Sequence, residues 1–253
     1  MNDIYAAPEA ELSVEQQGSR TGGSVEDAIA GNIEISMLGT LGEAWRGMKG
    51  FKLKCHLALT VYLIVYLLAL ALSFPVGFGL GAIGADTQSA GIIGGLVQFI
   101  AVVVTMPLML GVIIMGLRHA AGESVTVGSI FSHFGSIPTL TLAYILQTIL
   151  IMIGLLLLVL PGIYLMFAYM YAIPLVIEKK MPAWQALETS RKALTRVWFR
   201  FAGFILLITL IIGLGVLTLG IAWIWTIPWS VLAFAMVYLK LFGAEAETLA
   251  DQG

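Results

Sequence analysis

Apolar residues in this chain come in long unbroken runs. About 20 helical residues, at 1.5 Å each, cross a hydrocarbon core of about 30 Å, so runs of this length indicate membrane-spanning helices. Six runs qualify, at about residues 55–74, 91–117, 137–160, 162–177, 200–217 and 221–242. The fourth is the shortest and needs flanking residues or a thinned bilayer to cross. The pattern predicts an all-α, polytopic membrane helical bundle with about six transmembrane helices.

Proline and glycine separate the runs. Pro75-Val76-Gly77 is predicted to end the first helix. Leu160-Pro161-Gly162 and Thr218-Leu219-Gly220 are predicted to be tight turns, because proline disfavours the helical region in the residue before it and glycine permits positive φ.

Composition agrees with a lipid environment. Hydrophobic residues make up 59% of the chain, charged residues 11%, and the mean hydropathy is +0.97. In soluble domains, about 45–50% of the residues are hydrophobic and about 25% are charged. A soluble chain this apolar could not cover its surface, which excludes an ordinary soluble enzyme and a disordered regulator. The single cysteine, Cys55, excludes an intrachain disulfide and a multi-cysteine metal site.

The two ends of the chain differ from the 36–243 membrane domain. Residues 1–35 mix Gly, Ser, Glu, Gln and Ala without an apolar period, so they are predicted to be a disordered cytoplasmic tail. Residues 244–253 are predicted to be a short cytoplasmic tail.

Basic residues predict the orientation. With six spans, all 13 fall on one side, whereas the longest loop of the other side, 75–90, carries only Asp86 as a charged residue. Cytoplasmic loops carry the excess of positive charge. The sequence therefore predicts a multi-pass protein of the bacterial cytoplasmic (inner) membrane with both termini in the cytoplasm.

Three amphipathic segments precede the three pairs of spans on this cytoplasmic side. The first has an apolar face of Leu38, Leu41, Trp45 and Met48, and the third one of Trp184, Leu187, Leu194, Trp198 and Phe201. The middle segment, Ser124–Phe134, is shorter, and Glu123 and Ser124 are candidates to cap it. Such helices lie in the headgroup plane or pack on the bundle, and both interpretations stay open. Together they make a weak threefold repeat.

Several short segments resemble a known group of proteins. They are Leu160-Pro161-Gly162-Ile163-Tyr164, Pro174-Leu175-Val176-Ile177-Glu178, Ala186-Leu187-Glu188-Thr189-Ser190, Gly116-Leu117-Arg118 with Val127-Gly128-Ser129-Ile130-Phe131, and Tyr5-Ala6-Ala7-Pro8-Glu9-Ala10. On these residues the chain resembles uncharacterised bacterial multipass proteins, including YciC-like proteins, and the membrane domain of some glycerophosphoryl diester phosphodiesterases. The resemblance covers about residues 110–242. It implies a location and an architecture, not a reaction.

Residues for catalysis are not apparent in the sequence. No charged residue lies in the core of a predicted span, where it would indicate a proton relay or an ion site. The chain lacks nucleophile and phosphate-loop motifs. His56, His119 and His133 are far apart and lack ligand spacing. We predict no catalytic residue, no metal and no cofactor.

Polar and small residues inside the spans predict helix packing. Gln98 and Gln147 are predicted to make interhelical polar contacts, with the lining of a substrate path as the alternative. Gly91-x-x-x-Gly95 has the spacing of a close helix contact.

Basic residues near the predicted membrane surface are candidates for lipid-headgroup contact. They are Lys179, Lys180, Arg191, Lys192, Arg196, Arg200, Lys49, Lys52 and Lys54. Each charge near an anionic surface is worth about 1 kcal/mol. The alternative is that these residues only fix the topology.

Two functions follow from these patterns. The first is a non-enzymatic integral membrane protein that acts through contacts with membrane lipids, anionic ones included, or through a membrane-protein partner or a homo-oligomer. The alternative is a transporter or translocator of a lipid or other hydrophobic solute through a groove between the repeats. Nucleic acid is not predicted as a partner.

Overall fold

The computed structural model describes residues 22–84 and 86–250 and is 82% helical. Among the described residues there is no β-strand. The helices, in chain order, are α1 Val25–Ala30, α2 Met37–Gly47, α3 Lys52–Ala82, α4 Thr87–Ala120, α5 Ile137–Leu157, α6 Val159–Ala168, α7 Ala172–Glu178, α8 Ala183–Arg196, α9 Trp198–Leu214, α10 Trp223–Phe242 and α11 Ala246–Leu249. Short 3-10 segments lie at Val127–Phe131, Phe134–Ser136 and Gly215–Thr218.

The described residues include six stretches that are long and apolar enough to cross a membrane. They are Lys52–Ala71, Gln88–Ala120, Val127–Leu157, Val159–Glu178, Trp198–Thr218 and Trp223–Phe242. The predicted all-α bundle and the number of candidate spans are therefore confirmed.

Helices α3 and α4 form the first and longest hairpin. Its turn is polar: the Asp86 side chain accepts a hydrogen bond from the Ser89 backbone N–H at 2.9 Å and caps α4. The predicted helix end at Pro75 is wrong, because α3 continues through it to Ala82. A proline removes only one hydrogen bond, and long membrane helices accommodate it with a kink.

Helices α5 and α6 form the second hairpin, and its turn differs from the predicted one. The extended residue is Leu158 (φ −160°, ψ 140°), so α6 begins at Val159 and Pro161 lies in its first turn. Proline is accommodated there because its missing N–H would have had no helical partner. Gly154 and Gly162 let the two helices approach closely: a Cβ on Gly154 would lie 3.0 Å from the Gly162 Cα.

The fourth predicted span is two helices rather than one. Helix α6 ends at Ala168, and α7 begins at Ala172. Tyr171 lies at the break and is buried, and its hydroxyl donates a hydrogen bond of 2.9 Å to the Phe234 carbonyl of α10. This partner on another helix holds the interrupted segment against the bundle.

Helices α9 and α10 form the third hairpin. The predicted turn at Thr218-Leu219-Gly220 is present, with left-handed φ values of 52° at Leu219 and 85° at Gly220. Polar atoms of this turn bond one another. The Thr218 hydroxyl accepts from the Ala222 N–H at 3.0 Å, and the Trp223 indole donates to the Ile212 carbonyl at 2.9 Å.

The prediction of disorder is wrong for residues 22–35. Ser24 caps α1 by accepting from the Asp27 N–H at 3.1 Å, while Ala28 and Ile35 are buried in the core. The Gly23 N–H donates to the Leu239 carbonyl at 3.0 Å. A few well-placed apolar residues and a cap anchor this segment although it lacks a periodic apolar face. Residues 1–21 and 251–253 lie outside the described residues.

The first amphipathic segment, α2, is a helix packed on α10. Leu41 and Met48 are buried as part of the predicted stripe, and the Trp229 indole donates 2.9 Å to the Leu41 carbonyl. Leu38 and Trp45 are instead exposed. The buried face is therefore rotated from the predicted one.

The third amphipathic segment, α8, buries Leu187 and Leu194 against the bundle and leaves Trp184 exposed. The middle segment is not an α-helix. Val127–Phe131 is a 3-10 turn preceded by Thr126, which makes no side-chain cap, so the predicted cap by Glu123 or Ser124 is wrong. The threefold repeat is therefore incomplete at its second member.

Candidate functional site

A cleft of about 660 Å³ lies where α4 and α7 end, beside the segment that leads into α5. We call it the Arg118 cleft. Residues from α4, the 3-10 segments, α5, α7, the start of α8, α11 and adjoining loops line it: Ile114, Arg118, Ser129, Ser132, His133, Ser136, Thr139, Leu142, Val176, Ile177, Lys180, Met181, Pro182, Ala183, Glu247, Thr248 and Ala250.

Cationic and titratable groups meet in this cleft. Arg118 is the last-turn arginine of α4 and is buried, with 4% of its surface exposed. Lys180 also lines the cleft, and its ammonium forms an exposed ion pair of 2.6 Å with Glu247. His133 adds an imidazole from the 3-10 region. The cleft thus combines a buried guanidinium with a paired ammonium that solvent reaches.

Four of the five hydroxyl side chains that line the cleft come from the segment between α4 and α5 and from the first turn of α5. They are Ser129, Ser132, Ser136 and Thr139. They are spaced by 3, 4 and 3 residues along two 3-10 turns and the start of α5, and all four line the same cleft. Ser129 uses its hydroxyl locally, donating 2.7 Å to the Thr126 carbonyl.

The backbone of Lys180 is held in a conformation that suits glycine better. Its φ is 50°, in the left-handed region. For a residue other than glycine this costs on the order of 1 kcal/mol, and such residues are concentrated at ligand sites. The strained position directs a lysine at the rim of the cleft.

A buried ionic cluster beside the cleft fixes the chain after α10. Glu178 is 2% exposed; it accepts 2.8 Å from the Tyr238 hydroxyl and 2.6 Å from the Glu245 N–H. Lys179 bridges Glu178 at 3.3 Å and Glu245 at 2.8 Å. Because every oxygen of Glu178 has a donor, the buried carboxylate is stabilised and holds α11, which carries Glu247, against the cleft.

Most of the basic residues predicted to contact lipid have partners within the protein. Lys179 is buried in the cluster above, and Lys180 pairs with Glu247. Arg191 and Lys192 share Glu188, at 2.7 and 3.4 Å.

Of the remaining five basic residues, two contact groups of the protein and three form no ion pair among the described residues. Arg196 donates 3.1 Å from its Nε to the Ile29 carbonyl and so holds α1. Lys52 lies 4.4 Å from the centre of the Trp225 ring. Lys49, Lys54 and Arg200 make no ion pair within the described part of the chain. Arg200 lines a separate apolar groove between α2 and α9, with Ile35, Met37 and Leu207.

The two glutamines that were predicted to make interhelical contacts differ in their hydrogen bonding. Gln98 of α4 donates 3.3 Å to the Tyr66 hydroxyl of α3, which is an interhelical contact of the predicted kind. Gln147 of α5 has a buried Oε1 without a hydrogen-bond partner among the described residues. Nothing in the described structure pairs Gln147 across helices.

Sequence reasoning missed Arg118, His133 and the four hydroxyls as a site. In the sequence, Arg118 is one of the basic residues that predict the topology and part of the segment Gly116-Leu117-Arg118, and His133 is one of three histidines without ligand spacing. The 3-4-3 spacing of the hydroxyls from Ser129 to Thr139 was the available signal. This spacing is also typical of the polar face of an amphipathic helix, opposite Val127 and Ile130, so it does not by itself indicate a site. The described residues contain no cluster of three or more His, Cys, Asp or Glu that could hold a metal ion.

Comparisons with protein-family models, with curated proteins and with solved structures gave no match. The resemblance to YciC-like proteins and to the phosphodiesterase membrane domain therefore stays a prediction.

Proposed function

We propose that this protein is a non-enzymatic integral membrane protein that binds the phosphate headgroup of an anionic phospholipid in the Arg118 cleft. The observation that carries the proposal is the buried guanidinium of Arg118 lining one cavity with the hydroxyl side chains of Ser132, Ser136 and Thr139. Guanidinium groups match the geometry of phosphate oxygens, and hydroxyls donate to the oxygens that remain.

The apolar lining of the cleft supports a lipid over a soluble phosphate. Ile114 and Val176 line the cleft beside Leu142, which is also 52% exposed on the outside of α5. Leu142 therefore joins the polar cavity to the apolar outer surface of a candidate span. A headgroup in the cleft would have its acyl chains next to that surface.

The charges of the cleft lining favour an anionic lipid. Among the described residues that line the cleft, two basic side chains, Arg118 and Lys180, stand against one carboxylate, Glu247. A zwitterionic headgroup would bring its own positive charge against the guanidinium.

Ser132→Asp tests the proposal, with Ser132→Asn as the matched neutral control. Ser132 is exposed, so both variants are expected to fold. A carboxylate in the cleft repels an anion, and the amide of nearly the same shape does not. We expect detergent-purified Ser132→Asp protein to retain several-fold less phosphatidylglycerol by lipid mass spectrometry, at about 1 kcal/mol for one charge. Ser132→Asn should retain the wild-type amount.

Two further arms identify the ligand. Phosphatidylcholine retention should not distinguish the two variants, because that lipid has no net charge. Soluble glycerol phosphate should compete weakly with phosphatidylglycerol, because it lacks acyl chains. Equal phosphatidylglycerol retention by Ser132→Asp and Ser132→Asn would overturn the proposal, and strong competition by glycerol phosphate would reassign the cleft to a soluble phosphate.

A further inference from the structure

We propose that the α5–α6 hairpin enters and leaves the membrane on one side, with its turn at Leu155–Leu160 held in the hydrocarbon of the leaflet nearest α8. The partner of this surface is lipid acyl chain. Length and composition allow α5 and α6–α7 to cross a membrane. The contacts of the charged helix α8 with α6 limit how deep the hairpin can lie.

Helix α8 packs side by side with α6 and runs in the opposite direction. The Ser190 hydroxyl donates 2.7 Å to the Ala168 carbonyl at the end of α6. Further along α8, the Thr195 hydroxyl lies 2.5 Å from the Tyr164 hydroxyl in the middle of α6. The Trp198 indole, just after α8, donates 3.3 Å to the Tyr164 carbonyl. The C-terminal end of α8 therefore lies nearer to the hairpin turn than its N-terminal end does.

The outer face of α8 is charged and open to its surroundings. Glu188, Arg191 and Lys192 form one ion-pair cluster, with side chains 32%, 35% and 49% exposed. Charged side chains in the middle of a bilayer are expensive and face a polar interior when they occur. These three face outward, so α8 belongs in water or in the headgroup layer.

The α5–α6 hairpin therefore extends only a short distance beyond its contacts with α8. Tyr164, which contacts Thr195 of α8, is six residues from the break at Leu158. Six helical residues rise about 9 Å, against about 30 Å for the hydrocarbon core. With α8 at the membrane surface, the turn reaches into the near leaflet and stops well before the far surface.

The turn itself has the composition of a buried segment. All six residues of Leu155–Leu160 are apolar, and they include Leu156, Leu158 and Leu160 with 88%, 69% and 79% of their surface exposed. The turn of the first hairpin instead carries Asp86, Gln88 and Ser89. A turn that emerges into water does not need six consecutive apolar residues.

The turn interrupts the helical backbone at a single residue. Only Leu158 is non-helical, and its N–H donates 3.1 Å to the Gly154 carbonyl. Pro161 in the first turn of α6 has no N–H to satisfy. Unpaired backbone groups are what excludes loops from the bilayer core, and a break of one residue adds few to those that the two helix ends leave.

Nitroxide labels at three positions test the proposal in vesicles of phosphatidylethanolamine and phosphatidylglycerol. The variants are Leu158→Cys at the apolar turn, Gln88→Cys at the polar turn and Lys192→Cys on α8, each in full-length protein carrying Cys55→Ala. All three positions are exposed on the protein surface. The measurement is the ratio of relaxation by oxygen, which is concentrated in hydrocarbon, to relaxation by a water-soluble nickel chelate.

We expect the oxygen-to-nickel ratio at Leu158→Cys to exceed the ratios at Gln88→Cys and at Lys192→Cys several-fold. A Leu158→Cys label as accessible to nickel as the Gln88→Cys label would place the turn at a polar surface and overturn the proposal. A Lys192→Cys label shielded from nickel would also overturn it, because α8 would then lie inside the membrane. The outcome does not depend on lipid binding in the Arg118 cleft.

Discussion

Helix α4 is exposed along its first half and buried along its second, although both halves are equally apolar. Ile92, Leu96 and Ile100 each have 58–59% of their surface exposed. Leu108, Val112 and Met115 have 0% exposed. Lipid is as apolar as leucine, so in a membrane protein the hydrophobic pattern cannot distinguish an exposed half of a helix from a half that packs against protein.

Small residues and polar clusters make that distinction. Gly95 in the first half faces open space, whereas a Cβ on Gly111 in the second half would lie 2.5 Å from the Ile130 Cα. The Gly91-x-x-x-Gly95 spacing therefore predicted close packing in the wrong half of the helix. The buried half instead contacts the 3-10 segment and α10, near the ionic cluster around Glu178. We call this part of the protein the packed end.

The largest expected effect is at the ionic cluster of the packed end. Glu178→Ala leaves Lys179 and the Tyr238 hydroxyl buried with one partner fewer. Removing one member of a buried ion pair costs about 3–5 kcal/mol. We expect a loss of that order in the free energy of unfolding, measured by denaturant titration in detergent micelles.

Glu188→Ala is the matched control for this change. Glu188 also pairs with basic residues, but its side chain is 32% exposed, so we expect a loss of at most about 1 kcal/mol. Equal losses in the two variants would show that burial does not separate the packed end from the surface of α8.

The comparison also shows what could be predicted from the sequence. Apolar run length gave the number of candidate spans, because a bilayer sets a minimum length for any helix that crosses it. The turn at Leu219-Gly220 was also predictable, since glycine marks a left-handed position. Helix ends near Pro75 and Pro161 were not, because proline affects one hydrogen bond and its neighbours decide whether the helix continues.

The candidate site was less predictable than the bundle. Arg118, Ser132 and Lys180 come from separate elements, and only tertiary packing brings them to one cleft. Lys180 and its partner Glu247 are 67 residues apart in the sequence, so no local pattern indicates the pair. The segment 22–35 was misassigned for the same reason, because its anchors are long-range contacts with α8 and α10.

An intermediate effect is expected when alanine replaces glycine in the two halves of α4. At Gly111 the added methyl group meets the Ile130 backbone, which cannot rotate away as a side chain can, so we expect a loss of about 1–3 kcal/mol. At Gly95 the methyl group meets open space, and the higher helix propensity of alanine should raise stability by up to about 1 kcal/mol. Thermal unfolding in the same detergent measures both. A loss at Gly95→Ala as large as that at Gly111→Ala would remove the distinction between the two halves.

The smallest expected effect concerns pH and the exposed carboxylate of α8. Hydrogen bonds from the Arg191 guanidinium lower the pKa of Glu188 below its ordinary value of 4.5. A lowered pKa in the folded state means that the pair contributes its full stability above the unfolded pKa and loses it as pH falls through the folded pKa. When the pH is lowered from about 6 to about 3, the unfolding free energy of the wild-type protein should therefore fall further than that of Glu188→Gln. The difference between the two losses should be less than about 1 kcal/mol, since the pair is partly exposed. Denaturant titrations of both proteins at the two pH values measure the difference. An equal or larger loss in Glu188→Gln would mean that the carboxylate of Glu188 does not stabilise α8, and that the surface of this helix is held by its apolar face alone.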